Sequence, residues 1–389
     1  MANSLTFIDL FAGAGGFSLG FHEAGMRGLL GIERDKMAFE TLRFNLIENN
    51  HAFDWLSSIP VGNMDIRFLM EHYMEGLISM RGKVDVVVGG PPCQGFSMAG
   101  RRIEHDERNQ MFKEYLKFVD LVKPQMVLFE NVPGFNMPFK ANGISTHSYQ
   151  ELLGNQLQEA GFEMPESRII DFSQYGEPQA RKRIIIFSTQ KGNDPSLFFE
   201  RLQSRISNHK VAVKDAISDL ERSNGEVQSP DSSIFMNGLY GDPETPFQQK
   251  MRQGNIENIP DSHRFARHGH TVQERFKYIL DSCPRGKNLG ISSIEAIKSH
   301  KRNIIALNPS KPAPTLTSLP DDYIHYKEAR ILTVREYARL QSFPDWYEFK
   351  GKYTTGGKQR SKETPRYTQV ANAVPPSFSK AAGKILQLM

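Results

Sequence analysis

Strand-like and helix-like segments alternate along the first half of the chain. Residues 84–89 and 126–129 are near-continuous apolar runs, a pattern typical of strands that are buried on both faces. Similar runs predict three further strands, at 5–11, 29–33 and 183–188. Amphipathic patterns predict helices between them, at 17–24, through residue 45, and at 109–122. This alternation predicts a doubly wound, Rossmann-like α/β domain built on a parallel sheet with helices on both sides.

The pattern changes after residue 190. The segment 191–311 is more polar, has clusters of Ser, Asn and Gly, and lacks the strand-helix alternation, which predicts a second, smaller, loop-rich domain. Helical patterns return at 333–342 and 376–388. We therefore predict a first domain over 1–190, a second over 191–355 that ends with a hinge helix, and a C-terminal segment, 356–389, that returns to the first domain.

Composition restricts the class of protein. A chain of 389 residues is too long for one compact core, and 39% hydrophobic with 24% charged residues is ordinary for a globular enzyme. No run approaches the roughly 18 apolar residues of a membrane span, and the first residues do not resemble an export signal. The two cysteines, Cys93 and Cys283, argue against a disulfide framework or a cysteine-rich zinc site. We expect a cytoplasmic protein without a bound metal.

Charge gives a weaker indication. The formal net charge is +4, and the segment 264–302 carries nine Lys or Arg against three acidic residues. Such a segment is either a solvated helical face or a surface for a polyanionic partner. The charge pattern alone leaves both interpretations open.

The most distinctive local motif follows the predicted strand at 84–89. Here Cys93 comes directly after Pro91 and Pro92 in a turn rich in glycine. Ligands of open parallel sheets bind at the carboxyl ends of the strands, and the two prolines stiffen the backbone before the cysteine. Most free cysteines pack as small apolar residues in a hydrophobic core, but a turn rich in glycine and proline has few apolar neighbours against which Cys93 could pack. The motif therefore favours Cys93 as a nucleophile.

Charged side chains lie at the ends of two other predicted strands. Glu130 follows an apolar strand, where a carboxylate is unfavourable unless it is paired with another group or takes part in the chemistry of the site. The alternative is a carboxylate that caps the next turn. Arg181 and Arg183 precede the strand at 183–188, where they could bind an anion or stabilise a negatively charged intermediate. The alternative for the arginines is a pair of surface salt bridges.

A glycine turn follows the first predicted strand. Gly13, Gly15 and Gly16 would let the backbone approach a nucleotide-like ligand closely, and Glu33 lies at the distance in sequence where an acid can bind ribose hydroxyls. The spacing differs from the dinucleotide pattern Gly-x-Gly-x-x-Gly, so it favours a mononucleoside cofactor over NAD.

Together these segments resemble the DNA cytosine-5 methyltransferases over about 5–183 and 312–388. The resemblance rests on the cofactor loop at 11–15, Pro92 with Cys93, Glu130 to Val132, Gln179 to Arg183, the segment 339–345 and the final motif at 369–376, in the order of the family. Three motifs depart from the common family pattern. Arg34 stands where an aromatic residue is usual, and Asp65 lies in a looser segment than Gly-Asp-Ile. In the final motif Ala371 and Ala373 flank Asn372 where Gly-Asn-Ser is commoner.

The resemblance implies the roles of the site residues. S-adenosylmethionine is the implied cofactor. Phe11 would stack on its adenine, Asp65 and Ile66 would meet the adenine edge, and Glu33 would bind the ribose. Asn372 and Val374 would lie near the methionine end, and the implied cofactor residues also include Gly13, Gly15 and Pro91. Cys93 would bond to C6 of cytosine, with Glu130 at N3 and with Arg181 and Arg183 supporting the ring. Because attack occurs perpendicular to the base, the cytosine must leave the duplex stack.

The resemblance also implies double-stranded DNA as the partner. It makes 191–355 the target recognition domain, where Arg264 and Arg267 would contact phosphates. The segment 97–109 would be a lid over the flipped base. The residues assigned to DNA are Gln94, Ser97, Arg101, Arg102, Arg264, Arg267 and Thr315. Which bases are recognised is not predicted, because recognition loops follow no code.

Two alternatives remain at this point. A tRNA cytosine-5 methyltransferase shares the scaffold, but its characteristic Cys-Phe-Thr segment has no match here. A non-catalytic DNA-binding relative would be expected to lose a catalytic side chain, whereas Cys93, Glu130, Arg181 and Arg183 are all present. We expect a monomeric, site-specific enzyme of bacterial or phage origin. It would belong to a restriction-modification system with a separate endonuclease, or act alone.

Overall fold

The computed structural model describes residues 4–92, 110–138, 140–141, 144–145, 147–207, 209–255, 257–301, 303–357, 359 and 362–389. By internal contacts the chain divides into two compact units. Unit 1 comprises Met1–Asp171, Lys182–Ile206 and Phe378–Met389, and unit 2 comprises Phe172–Arg181 and Ser207–Ser377. The functional division that we placed after residues 190 and 355 stays a prediction, since packing units and functional domains need not share boundaries.

A six-stranded sheet forms the centre of unit 1. Its strands are β1 (Thr6–Leu10), β2 (Arg27–Ile32), β3 (Val86–Gly89), β4 (Met126–Asn131), β5 (Glu166–Asp171) and β6 (Lys182–Thr189), in the order β2-β1-β3-β4-β6-β5. The first four strands pair in parallel, and every residue of β3 and β4 is buried. The α/β fold class predicted from the alternating pattern is confirmed.

The prediction of a wholly parallel sheet is wrong, because β6 runs antiparallel to both β4 and β5. Strand β5 was missed because most of its residues are exposed or half-buried, so it lacks the continuous apolar run that marks a buried strand. The short segment Phe172–Arg181 connects β5 to β6, and parallel strands would need a longer crossover.

The helices that the sequence predicted in unit 1 lie close to the observed ones. Gly16–Glu23 and Gln110–Val122 match the predictions within about a residue, and the helix Lys36–Leu42 continues as a π-helical turn, Arg43–Asn49. The remaining helices of this unit are Ile66–His72, Met74–Ser79, Tyr149–Glu159 and Ser196–Gln203, and the C-terminal helix is Pro376–Leu386. Within the described ranges, no helix is long and apolar enough to cross a membrane.

Unit 2 consists of short elements joined by long connections. Its helices are Val213–Ile217, Pro246–Arg252, His270–Ser282, Ile291–Ala296, Val334–Leu340 and Arg366–Asn372. Its strands form two-stranded ladders: Glu226–Gln228 with Met236–Gly238, Ile305–Ala306 with Tyr323–Ile324, and Gln179–Ala180 with Ala313–Pro314. This arrangement agrees with the loop-rich character predicted for the second domain.

The helix Val334–Leu340 is buried along its whole length and organises a network of buried charges. The guanidinium of Arg339 donates to Asp345 at 2.5 and 2.6 Å and to Asp219 at 3.1 Å, and none of the three side chains is exposed. One turn earlier, Glu336 accepts two hydrogen bonds from Arg330, at 2.8 and 2.6 Å. Charges buried this deeply require their partners, because each lone charge would be strongly unfavourable.

Replacing Arg339 by leucine is expected to lower the free energy of unfolding by about 3–5 kcal/mol, because two buried carboxylates lose their counter-charge. Urea unfolding followed by circular dichroism measures the change. Lys352→Ala serves as the control: its ion pair with Glu363 is largely exposed and should contribute at most about 1 kcal/mol. Equal losses in the two variants would contradict a structural role for the buried network.

Candidate active site

The predicted cofactor loop is a tight turn between β1 and the helix Gly16–Glu23. Phe11, Gly13 and Gly15 have positive φ angles of 59°, 56° and 82°. Glycine adopts this conformation without strain, whereas a phenylalanine there is unusual. Ala12 donates its backbone N–H to Ile32 of β2 at 3.0 Å, which ties the turn to the neighbouring strand. Strained backbone of this kind clusters at functional sites.

Glu33 closes this turn from the end of β2. Its two carboxylate oxygens accept the backbone N–H groups of Gly13, at 3.0 Å, and of Asp35, at 2.7 Å. Burial raises the pKa of Glu33, and these two hydrogen bonds partly offset that rise. The structure therefore brings together Gly13 and Glu33, two of the residues that the sequence assigned to the cofactor.

Asp9, which sequence reasoning did not single out, holds the other side of the turn. Its buried carboxylate accepts the backbone N–H of Ser18 at 3.2 Å and the Ser18 hydroxyl at 2.6 Å. The helix Gly16–Glu23 has a glycine, Gly15, at its N-cap, so a strand residue satisfies a donor that an N-cap side chain would usually satisfy. Burial raises the pKa of Asp9 to about 7. The sequence feature that could have identified Asp9 is an acidic residue inside an otherwise apolar strand.

Asp9→Asn should change how stability depends on pH. A folded-state pKa near 7, above the ordinary 3.8, means that wild-type stability is greatest at acidic pH and falls as pH rises toward 7. Asparagine keeps an acceptor for Ser18 but does not titrate. We therefore expect the free energy of unfolding of the variant, relative to that of the wild type, to rise by up to roughly 1 kcal/mol per pH unit between pH 5 and 7. Urea unfolding at intervals from pH 5 to 8 measures the difference, and parallel pH profiles would contradict it.

Asp65 and Ile66, predicted at the adenine edge, begin the helix Ile66–His72. The Asp65 carboxylate accepts the backbone N–H of Arg67 at 2.9 Å and two guanidinium bonds from the same residue at 3.0 Å. These bonds lower the pKa of Asp65. Ile66 is buried in the hydrophobic core, and Met64 donates its N–H to the Glu33 carbonyl at 2.7 Å. The segment thus lies beside Glu33, while the contact with adenine stays a prediction.

The carboxyl ends of β3 and β4 lie side by side at the predicted catalytic position. The Asn131 side chain donates to the carbonyl of Pro91 at 3.2 Å. A Cβ atom added to Gly90 would lie only 2.7 Å from a carboxylate oxygen of Glu130, so this position has no room for a side chain. The backbone that leads to Cys93 is therefore held directly against Glu130. Cys93 itself lies outside the described residues, as do Gln94, Ser97, Arg101 and Arg102.

Glu130 and Arg183 form an ion pair between β4 and β6. The Arg183 Nε lies 2.9 Å from a carboxylate oxygen of Glu130, and the two side chains are only 14% and 11% exposed. The antiparallel pairing of the two strands, with Asn131 opposite Ile184, brings these side chains together. A charge-assisted bond of this kind fixes the orientation of the carboxyl group. Two predicted catalytic residues are thus in direct contact.

In unit 2, Arg181 is 3% exposed and follows the short strand Gln179–Ala180. Its backbone N–H donates to Gln179 at 3.0 Å, and its carbonyl accepts the N–H of Phe172 at 2.9 Å. The hydroxyl of Thr315, predicted to contact DNA, donates to the carbonyl of Ala180 at 3.0 Å. Two predicted site residues, Arg181 and Thr315, therefore directly follow the two strands of the same small ladder.

The final motif ends the helix Arg366–Asn372 of unit 2. Asn372 is exposed at the end of this helix, and Val374 is buried two residues later. The turn therefore buries Val374 while Asn372 stays accessible. Their predicted contact with the cofactor stays a prediction.

The two arginines predicted to bind phosphate differ in their surroundings. The Arg264 guanidinium stacks between Phe235, at 4.3 Å, and Tyr353, at 3.5 Å, and lies 3.8 Å from an Asp231 oxygen. Arg267 is exposed. The charge of Arg264 is thus already engaged within unit 2, whereas Arg267 is accessible.

Comparison with known proteins identifies the family. A family model described as C-5 cytosine-specific DNA methylase matches residues 5–387, nearly the whole chain. The chain belongs to this family. The methyltransferase is 31% identical to the type II methyltransferase M.DdeI of Desulfomicrobium norvegicum, with 97% of this chain and 87% of that protein covered. It is also 31% identical to the type II methyltransferase M1.HphI of Haemophilus parahaemolyticus, with coverage of 99% and 87%.

A solved structure supports the same assignment. The methyltransferase aligns with a chain described as a DNA modification methyltransferase encoded within an E. coli prophage, with a TM-score of 0.69, 27% identity and 99% coverage of both chains. The family resemblance and the fold class predicted from the sequence are confirmed, and the protein is a DNA cytosine-5 methyltransferase of the type II kind. The family as a whole depends on S-adenosylmethionine.

Proposed function

We propose that the methyltransferase modifies C5 of one cytosine within a short motif of duplex DNA, through a covalent bond between Cys93 and C6 of a flipped-out base. The observation that carries this proposal is the Glu130–Arg183 pair, which joins the carboxyl end of β4 to the amino end of the antiparallel strand β6, against the backbone that leads to Cys93. Such an edge is where open α/β sheets bind their ligands.

The turn at 11–15 fits a nucleoside cofactor. A Cβ atom added to Gly13 would meet nothing within 4 Å, so the backbone there is open to a close ligand, and Glu33 already accepts an N–H from that residue. Glu33 is suited to accept ribose hydroxyls as well. When bound, S-adenosylmethionine supplies an electrophilic methyl group. The residues proposed to hold it are Phe11, Gly13, Gly15, Glu33, Asp65, Ile66, Pro91, Asn372 and Val374.

The proposed chemistry assigns one task to each catalytic side chain. The Cys93 thiolate adds to C6 while Glu130 donates a proton or hydrogen bond to N3, which makes C5 nucleophilic. After C5 is methylated, a base removes its proton, and elimination of the Cys93 sulfur restores the aromatic ring. Arg183 orients the Glu130 carboxyl group, and Arg181 supports the ring.

Double-stranded DNA is the proposed partner of a monomeric, cytoplasmic enzyme. Residues that we propose to contact it are Gln94, Ser97, Arg101, Arg102, Arg264, Arg267 and Thr315. The type II names of the relatives support a restriction-modification role, with an endonuclease that acts separately. An orphan role, without that nuclease, is the second form of the proposal.

Transfer of labelled methyl groups from S-adenosylmethionine tests the proposal. Unmodified duplex DNA and tRNA are offered in separate reactions, and bisulfite sequencing locates 5-methylcytosine in the DNA. We expect label in DNA only, at one cytosine of a single short motif. Label in tRNA alone, or 5-methylcytosine spread over unrelated sequences, would contradict the proposal.

A further inference from the structure

Two glutamine amides inside unit 2 are fully enclosed and bonded to each other. Gln179 and Gln341 are both 0% exposed, and Nε2 of Gln179 donates to Oε1 of Gln341 at 2.8 Å. Gln179 also donates to the carbonyl of Leu340 at 3.3 Å and accepts the N–H of Leu316 at 2.9 Å. Each of these bonds uses a specific donor or acceptor, so the orientation of both amides is determined.

The amide of Gln341 continues this chain of bonds to the final motif. Its Nε2 donates to the carbonyl of Val370 at 2.8 Å and to that of Ala373 at 3.3 Å. These two carbonyls flank Asn372, the last residue of the helix Arg366–Asn372. Gln341 is therefore hydrogen-bonded to the backbone on both sides of Asn372.

A second connection runs parallel to the first, one residue further along. The hydroxyl of Ser342 donates to Glu177 at 2.9 Å and accepts the N–H of Ser377 at 3.1 Å, and the Ser377 hydroxyl also donates to Glu177. Ser342 has a φ angle of 56°, a left-handed conformation that is unfavourable for serine. Consecutive residues 341 and 342 thus join the segment 177–179 to the segment 370–377.

We propose that Gln179 and Gln341 are positioning residues that set the segment carrying Arg181 and the segment carrying Asn372 and Val374 in one arrangement. Arg181 lies two residues after Gln179, and its backbone N–H bonds to the Gln179 carbonyl at 3.0 Å. The inference rests on the roles proposed above for Arg181 at the base and for Asn372 at the cofactor. It follows that a change at Gln341 affects cofactor affinity and methyl transfer together, although Gln341 itself takes part in neither.

The test compares Gln341→Leu with Gln248→Leu in the full-length protein. Gln248 is an equally enclosed glutamine of unit 2 that bonds to Ser218 and to the backbone at 244–245, not to the segments in question. Calorimetry gives the Kd for S-adenosylhomocysteine, and single-turnover reactions with DNA give the rate of methyl transfer. We expect Gln341→Leu to raise that Kd and to lower that rate, each about tenfold. Gln248→Leu should lower the melting temperature to a similar extent and leave the Kd unchanged.

Gln179→Leu is the second variant, and it decides the question if Gln341→Leu does not fold. It removes the bond to Gln341 but leaves both bonds from Gln341 to the final motif in place. A Kd for S-adenosylhomocysteine that is about threefold higher would therefore show that the hydrogen bond from Gln179 to Gln341 helps to position the final motif. An unchanged Kd in either folded variant overturns the proposal. If the wild-type protein neither binds S-adenosylhomocysteine nor methylates DNA, the proposed function fails as well, so the two failures are distinguishable.

Discussion

Replacing Cys93 by alanine is expected to abolish methyl transfer to DNA, whereas Cys283→Ala should retain it. Without the thiolate, no bond to C6 forms and C5 is not made nucleophilic, so the rate should fall below detection. Cys283 is the matched control, because it is the other cysteine of the chain and lies half-buried against a small apolar cluster at the end of the helix His270–Ser282. Incorporation of labelled methyl groups into duplex DNA measures both variants.

Trapping of the covalent complex extends this test. Duplex DNA that carries 5-fluorocytosine in the recognised motif has no proton to lose at C5, so the enzyme should stay bonded to C6 after methylation. We expect a complex that survives denaturing electrophoresis with the wild type and with Cys283→Ala, and none with Cys93→Ala. Measurable methylation by Cys93→Ala, or a stable complex with that variant, would contradict Cys93 as the nucleophile.

Glu130→Gln should lower the single-turnover rate by about 10²–10⁴-fold, the usual contribution of a general acid. Glutamine has nearly the same size and can still accept a hydrogen bond from Arg183, which lies 2.9 Å from the carboxylate, but it cannot deliver a proton to N3. Rates are measured with S-adenosylmethionine and DNA at saturation, and the melting temperature confirms folding.

Two further variants separate chemistry from position at this carboxyl group. Gly90→Ala leaves Glu130 chemically intact but places a methyl group where only 2.7 Å separates it from the carboxylate, so we expect a loss of rate through displacement. Glu163→Gln changes a carboxylate that accepts the N–H of Gly192 at 2.9 Å, far along the chain from the motif, and should leave the rate unchanged. A rate for Glu130→Gln within about threefold of the wild type would exclude Glu130 as the general acid.

Much of unit 1 follows from the sequence. Strands β1 to β4 are recognisable because parallel strands covered on both faces need continuous apolar runs. The motif residues Glu33 and Glu130 stand at the ends of such runs, so their placement at one edge of the sheet could be predicted. The family resemblance carried by these motifs, and the activity it implied, were confirmed by the family match over residues 5–387.

Only the tertiary structure decided which side chains meet. The Glu130–Arg183 pair depends on the antiparallel register of β4 and β6, and local patterning does not encode the direction of a strand. Asp9 became visible as a cap only when the turn at 11–15 brought Ser18 back to it. Gln179 and Gln341 are 162 residues apart in sequence, and a single hydrogen bond between enclosed amides requires both backbones to be in place first. A hydrophobic pattern records which residues are buried, but not which buried polar atoms become partners, because that depends on distance and direction in the folded chain.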